Sequence, residues 1–541
     1  MRRAAAWLVA IAAVFGLSVV ATWPQALQMR TALASHHDAY FSVWRLAWIA
    51  HALVTRPLHL FDANIFHPTT GTLAYSDAML LEGVVGAPLF WIGLPPVLIY
   101  NLLLMAGYAG SGLAMFLLVR HLTGAAGPAL VSAAVFTMAP YRLEHAMHLE
   151  LQWAMWMPLT LWALHRALED SSPRFGVAAG IFAWLQVLSC VYYGLFLAIV
   201  LVVAAPVLLL ATRGWAVRAW SGLALGAVIA IALTLPYAWP YIEAGRAVGG
   251  RDPAEIARYS AQPINYLSSS ALSWLWGWTA DRWGSRELRL FPGVAATALA
   301  LVGVAGSSWR RTLVFAVITI VAVECSFGTN GRVYSWIAAR TDALQGFRSP
   351  ARFAMVAMCG VAVLAGLGVD VISRRRFANG WQGALLVAVL LGLVVADSAG
   401  RAMPLMNENL GVRAPIYQAM ESAGPGVVVE LPVPLPDQLP GWDAYYSAWS
   451  ITHWHPLVNG YSGYHPPDYL QVLERMRTFP DARSITGLRG HDVRYVIVHR
   501  SLMDPDQYTQ LMLRMSARPE LKAWGSYKDP RGNADLFVLE P

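Results

Sequence analysis

The sequence predicts a polytopic α-helical membrane protein with a small C-terminal α/β domain outside the membrane. Three observations predict it. Of 541 residues, 57% are hydrophobic and only 13% are charged, against roughly 25% charged in soluble domains. Apolar runs recur from the N-terminus to about residue 398. Many approach the roughly 20 residues that a hydrocarbon core requires, and together they give about ten or eleven spans. After residue 398 the pattern changes to short β-branched runs punctuated by Pro, Gly and Asp, the mark of strands and turns.

The runs fall at Ala4–Trp23, Val97–Val119, Leu122–Pro140, Leu151–Leu164, Phe175–Ser189, Val191–Leu210, Val217–Tyr237, Phe291–Gly306, Thr312–Phe327, Phe353–Val371 and Trp381–Val395. Arg2 and Arg3 precede the first, as in a signal peptide, and Ala32-Leu33-Ala34 offers a small-residue cleavage pattern. The gap to that site is long and holds Arg30, so an uncleaved first span is expected. The stretch Met79–Trp91, interrupted by Glu82 and Pro88, is taken as non-spanning.

Orientation follows from the arginines. With Arg2 and Arg3 inside, the inside loops carry Arg120, Arg166 with Arg174, Arg213 with Arg218, Arg310 with Arg311, and Arg374-Arg375-Arg376. The outer turns Pro140–His148 and Cys190–Gly194 hold one arginine between them. This places the N-terminus in the cytoplasm of a plasma (bacterial inner) membrane. Outside it puts two long loops, residues 24–96 and 238–290, and a domain over 399–541. The membrane part is then 1–398. In the C-terminal part, Gly426–Leu431, Val493–Val498 and Leu536–Leu539 read as strands, and Asp468–Thr478 and Asp504–Ser516 as helices.

The net charge is +7, almost all from arginine, with lysine only at Lys522 and Lys528. Because the arginines sit between apolar runs, they mark cytoplasmic loops and lipid contact rather than nucleic acid, for which no basic recognition element is present. Cys190, Cys325 and Cys359 lie in or beside apolar runs without zinc-ligand spacing, so neither a disulfide framework nor a cysteine metal site is implied. No glycine-rich nucleotide loop and no convincing Ser-His-Asp order appears.

Chemistry concentrates in the outer segments. Ser35-His36-His37-Asp38-Ala39-Tyr40-Phe41 follows the first span and opens a helix carrying Trp44, Arg45 and Trp48, expected along the membrane interface where tryptophan concentrates. Asp38 would stand where a lipid headgroup meets a water-soluble acceptor, and could act as general base on a hydroxyl. It could equally cap the helix.

A first span, an acidic site in a long outer loop, many further spans and an outer C-terminal domain together resemble the glycosyltransferase C (GT-C) superfamily, which includes protein mannosyltransferases and aminoarabinose transferases. The segment Phe347-Arg348-Ser349-Pro350-Ala351-Arg352-Phe353 is also similar to segments of bacterial membrane proteins of this type. The resemblance spans the whole chain in architecture. It implies a transferase taking a sugar from a polyprenyl-phosphate carrier, with Asp38 as catalytic base or metal contact. The sequence departs from the family in one respect: His36 and His37 stand where a second acidic residue is usual.

Further groups fit this reading, each with an alternative. His36, His37, Glu144, His145, His148 and Glu150 have the chemistry of a divalent-metal site or of an interhelical hydrogen-bond network. Arg348 and Arg352, against the inside-positive trend, and Arg142 could fork a carrier phosphate. Anionic lipids or the C-terminal domain would also satisfy Arg348 and Arg352. Trp274, Trp276 and Trp278 suit a sugar platform or an interfacial belt. Tyr446, within an aromatic stretch of the C-terminal part, suits carbohydrate contact or membrane docking. A transporter or flippase of a lipid-linked intermediate, or a non-catalytic envelope assembly protein, is the alternative function. Transport is disfavoured because ionisable residues gather at the outer ends of spans rather than at paired broken helices. The sugar and the acceptor are not written in these residues.

Overall fold

The computed structural model describes residues 2–212, 216–341, 344, 346–376 and 380–540. Arg213 of the expected inside loop lies outside them. Each apolar run forms helix. Five described helices have the length and composition to cross a membrane: Pro96–Thr123, Val191–Ala211, Val217–Val248, Pro350–Arg374 and Gly380–Ser398. Shorter apolar helices cover Ala6–Ala21, Leu80–Trp91 and Val294–Gly306. The chain is a polytopic helical membrane protein with small sheets in its C-terminal part.

Two expectations shift in detail. The run from Leu151 divides into helices Leu149–Gln152 and Trp156–Glu169. The run expected to stop at Tyr237 continues as helix to Val248, because Trp239, Tyr241 and Ile242 keep apolar side chains on the helix among its polar residues.

Two compact units make up the fold. One comprises Met1–Gln28, Leu102–Trp239 and Gly250–Pro404; the other comprises Met29–Asn101, Pro240–Gly249 and Leu405–Pro541. The C-terminal part therefore shares its unit with the first long connection.

The first unit has a continuous apolar core running from Ala10 and Val14 through Phe136, Phe196 and Phe315 to Val394. In hydrocarbon there is no hydrophobic drive between helices, so small residues that let backbones approach do much of the packing. Helix Pro173–Ser189 presents Gly176 and Gly180, and helix Val217–Val248 presents Gly222 and Gly226. A Cβ on Gly176 or Gly180 would overlap the backbone of Gly222 or Gly226, and a Cβ on Gly226 would overlap that of Gly176. Gly303 and Gly368 form a second such contact, each meeting backbone of the opposing helix.

In the second unit, β1 (Ala32–Ala34) pairs antiparallel with β2 (Leu405–Asn407). A four-stranded sheet follows, with β3 (Val427–Leu431), β4 (Val493–His499), β5 (Leu521–Lys528) and β6 (Asn533–Leu539) in the order β3-β4-β6-β5. β3 and β4 are parallel; the other pairs are antiparallel. β3, β4, β6 and both expected helices match the sequence reading. β5 does not, because only Leu521 is buried and Lys522, Gly525 and Lys528 break the apolar pattern.

A buried ionic group ties this sheet together. His499 Nε2 lies 2.6 Å from Glu430 Oε2, and its Nδ1 lies 2.7 Å from Asp529 Oδ2. The Tyr417 hydroxyl donates to the same Glu430 oxygen at 2.9 Å. Burial alone would lower the imidazole pKa, but the two carboxylates raise it to about 9.

Replacing Gly180 by Val forces two backbones apart. Overpacking costs about 1–3 kcal/mol, or more where backbone must move, so Gly180→Val is expected to lower the thermal midpoint in detergent by several degrees. Gly245→Val, where nothing lies within 4 Å of the added carbon, serves as the neutral control. The His499 pKa is raised on folding, so its contribution is complete below its unfolded value near 6.5 and is lost as pH rises through about 9. Unfolding followed by the near-ultraviolet signal is expected to show stability falling across that window. His499→Gln should flatten the slope.

Candidate functional site

Asp38 stands in the first turn of helix His37–Thr55, behind the extended strand β1. His36, not Asp38, is the N-cap. Its Nδ1 accepts from the Asp38 amide at 3.3 Å and lies 3.1 Å from Asp38 Oδ2. The other carboxylate oxygen, Oδ1, accepts from the Tyr461 hydroxyl at 2.6 Å. His37 meets Tyr445 edge-on with ring centroids 5.5 Å apart. Burial first, then the neighbouring His36, lowers its pKa. One turn on, the Tyr40 hydroxyl donates to Glu408 Oε1 at 2.7 Å, and Arg531 binds the same oxygen.

The helix that carries Asp38 does not expose a tryptophan face. Trp44 and Trp48 are fully buried. Trp44 Nε1 donates to Asn64 Oδ1 at 3.1 Å and Trp48 Nε1 to the Leu60 carbonyl at 2.8 Å. Their indoles are core of this unit rather than an interfacial belt, and both N–H groups are satisfied within it. Tyr446 is also internal: it donates to the Pro432 carbonyl at 3.1 Å and stacks on His499. No sugar can reach a side chain so placed without displacing the sheet core.

The first unit holds a second polar group. His145 and His148 lie on the irregular stretch between helices Pro140–Glu144 and Leu149–Gln152. Glu287 comes from the short turn Arg286–Leu288. Ligand atoms of His145, His148 and Glu287 all lie within 4.8 Å of one another. Glu150 Oε1 is 3.6 Å from His148 Nδ1. Glu144, grouped with the histidines by sequence, instead accepts from Arg289 at 2.8 Å and lies 3.4 Å from Arg286.

Glu287 is forked by Arg352, with Nε and Nη2 donating at 3.3 and 3.1 Å, and its Oε2 also accepts from Ser349 at 3.1 Å. Burial would raise the Glu287 pKa, but Arg352 and the two imidazoles bring it well below the usual carboxylate range. Burial pushes His145 down to about 3, so it is a neutral imidazole and a possible ligand. A divalent cation fits these residues on one observation: His145 is fully buried, and neither ring nitrogen has a hydrogen-bond partner among the described residues.

The remaining candidates spread out. Arg142 is buried and donates to Gln152 Oε1 at 3.1 Å and to the Gln152 carbonyl at 2.6 Å, with the Phe136 and Gly107 carbonyls at 3.4 Å. Its guanidinium also covers the Tyr108 ring. Arg348 is the more available cation: its Nη1 is 3.9 Å from Glu255 and its guanidinium lies over Tyr259. Trp274 and Trp278 are exposed, whereas Trp276 Nε1 donates to Asp397 Oδ1 at 2.8 Å. Sequence reasoning missed Tyr461 as the partner of Asp38 and Glu287 as the partner of the histidines. Both pairings join segments distant in sequence, and no local pattern announces them.

The helical membrane architecture with small C-terminal sheets is a fold shared with solved structures of two kinds of transferase. Arabinofuranosyltransferase AftD from Mycobacteria is similar over 100% of this chain, at a TM-score of 0.61 and 13% identity. A second AftD structure aligns over 98% at a TM-score of 0.60 and 15% identity. The archaeal oligosaccharyltransferase AglB from Archaeoglobus fulgidus, solved with an inhibitory peptide and a dolichol-phosphate, aligns over 98% at a TM-score of 0.51 and 12% identity. The chain spans 42% and 41% of the AftD chains and 74% of the AglB chain. No family model matches the sequence, and no curated protein does.

Removing one partner of a buried ion pair costs about 3–5 kcal/mol, whereas replacing both by apolar groups costs far less. Glu287→Leu alone is therefore expected to destabilise the protein by about 3 kcal/mol or more. The double variant Glu287→Leu/Arg352→Met should regain most of that loss. Thermal unfolding of the three proteins in one detergent measures the coupling.

Proposed function

We propose that this chain is a membrane glycosyltransferase that moves a sugar from a polyprenyl-phosphate carrier to an acceptor hydroxyl outside the membrane. The observation that carries the reading is Asp38. In a chain of GT-C fold, a partly exposed carboxylate at a helix start is held from one side by the Tyr461 hydroxyl and faced on the other by His36. These neighbours limit its rotation, which positions a carboxylate for general-base work.

In this reading Asp38 takes the proton of the acceptor hydroxyl as that oxygen attacks the anomeric carbon. The bond to the carrier phosphate breaks on the opposite face, so the anomeric configuration inverts. The leaving phosphate needs positive charge. An arginine supplies such charge as a fork that matches phosphate oxygens. A preorganised contact of this kind contributes on the order of 3 kcal/mol to the transition state. The dolichol-phosphate in the AglB complex supports a polyprenyl-phosphate donor. The arginine pattern supports a cytoplasmic N-terminus, with 24–96, 238–290 and the C-terminal part on the outer side.

The test is release of free polyprenyl phosphate by the purified protein in lipid. It is supplied with a panel of polyprenyl-phosphate sugars and a cell-envelope extract as acceptor. Wild type is expected to release carrier from one donor. Asp38→Asn should cut the rate at least about 100-fold, the lower range for a lost general base, while eluting and melting like wild type. Undiminished release by Asp38→Asn would remove Asp38 from the chemistry.

A further inference from the structure

His145 poses a problem that the transfer chemistry does not solve. It is fully buried, yet both ring nitrogens lack a hydrogen-bond partner among the described residues. Leaving a buried polar atom unsatisfied costs about 1–3 kcal/mol. A phenylalanine would fill the space beside Tyr141, whose ring centroid is 4.2 Å away, without that cost.

The surroundings supply an answer. A nitrogen of His145, a nitrogen of His148 and an oxygen of Glu287 come within 4.8 Å of one another, a separation that one ion can bridge with small adjustments. The Glu287 carboxylate has about four lone-pair sites. Arg352 and Ser349 use three of them, and a fourth remains. Those same contacts fix its orientation, as outer partners do for metal ligands generally. Glu150, 3.6 Å from His148, adds a second carboxylate beside the group.

The donor set selects the ion. Magnesium and calcium take oxygen ligands. Two imidazoles and one carboxylate with an open fourth position are the set used by catalytic zinc sites, and imidazole favours first-row transition ions over the hard cations. We propose that His145, His148 and Glu287 bind a divalent transition-metal ion of the zinc type. The Arg352 charge opposes the ion, so the site binds less tightly than an all-anionic one. The inference stands on these side chains alone and does not depend on the glycosyl-transfer reading.

The test uses the full-length protein in detergent, stripped with a chelator and titrated with Co2+ alone, followed by visible absorption. Wild type is expected to bind one Co2+ with the intense d–d bands of a low-coordinate nitrogen and oxygen site. Zn2+ should displace it, whereas Mg2+ or Ca2+ in excess should not, and Zn2+ should raise the thermal midpoint. His145→Phe, which keeps a buried ring, and His148→Ala are each expected to weaken Co2+ binding at least about tenfold. Absence of these bands in wild type, displacement by Mg2+, or bands unchanged in both variants would overturn the proposal. No sugar donor is present, so this result and the transfer assay fail or succeed separately.

Discussion

A charge taken out of water must find its counter-charge close by, and this constraint organises both units. In the first, Arg352 forks Glu287 and so pins the segment before helix Ala354–Arg376 to the turn Arg286–Leu288. That pairing sets Glu287 facing His145 and His148. In the second, His499 sits between Glu430 and Asp529 and joins β3, β4 and the β5–β6 turn. Where no carboxylate is present, as at Arg142, backbone carbonyls and an aromatic face take its place. The desolvation cost of each ion is several kcal/mol, so these contacts fix geometry more than they add stability.

Much of the architecture was legible because hydropathy is a local property. Each apolar run became helix, and the stretch Met79–Trp91, interrupted by Glu82 and Pro88, became a short one over Leu80–Trp91. Strands β3, β4 and β6 were legible because Val427–Leu431, Val493–Val498 and Leu536–Leu539 are short runs rich in β-branched and aromatic residues. β5 was hidden because an edge strand with one buried residue has little pattern to show. The tryptophans of the Asp38 helix misled for a related reason. Indole suits an interface and a core alike, and the deciding contacts, Asn64 and the Leu60 carbonyl, lie in the following loop.

Of the candidate site, the sequence could single out residues but not their partnerships. Asp38 was singled out because it follows the first span near the outer surface, where a lipid headgroup and an acceptor can meet. Its partner Tyr461 lies in the C-terminal part among several tyrosines of equal promise. His145 and His148 were singled out by their crowding of ionisable neighbours, but the nearest carboxylate in sequence, Glu144, proved to pair with Arg289. The proposed ligand is Glu287, which no spacing rule connects to a histidine so far upstream. Long-range pairing is a property of the fold, and a sequence read alone ranks residues without joining them.

The glycine contacts between helices Pro173–Ser189 and Val217–Val248 have a consequence for how relatives of this protein should be read. Gly176, Gly180, Gly222 and Gly226 carry no chemistry, yet backbone presses on each and leaves no room for a side chain. Selection for folding will hold such positions as fixed as it holds a reactive carboxylate. In a set of diverged sequences, these four would stand as invariant columns beside whichever residues carry the chemistry. Invariance would then mark two unlike demands, one steric and one chemical. Only the residue type tells them apart: a glycine conserved for what it lacks, a reactive side chain for what it offers.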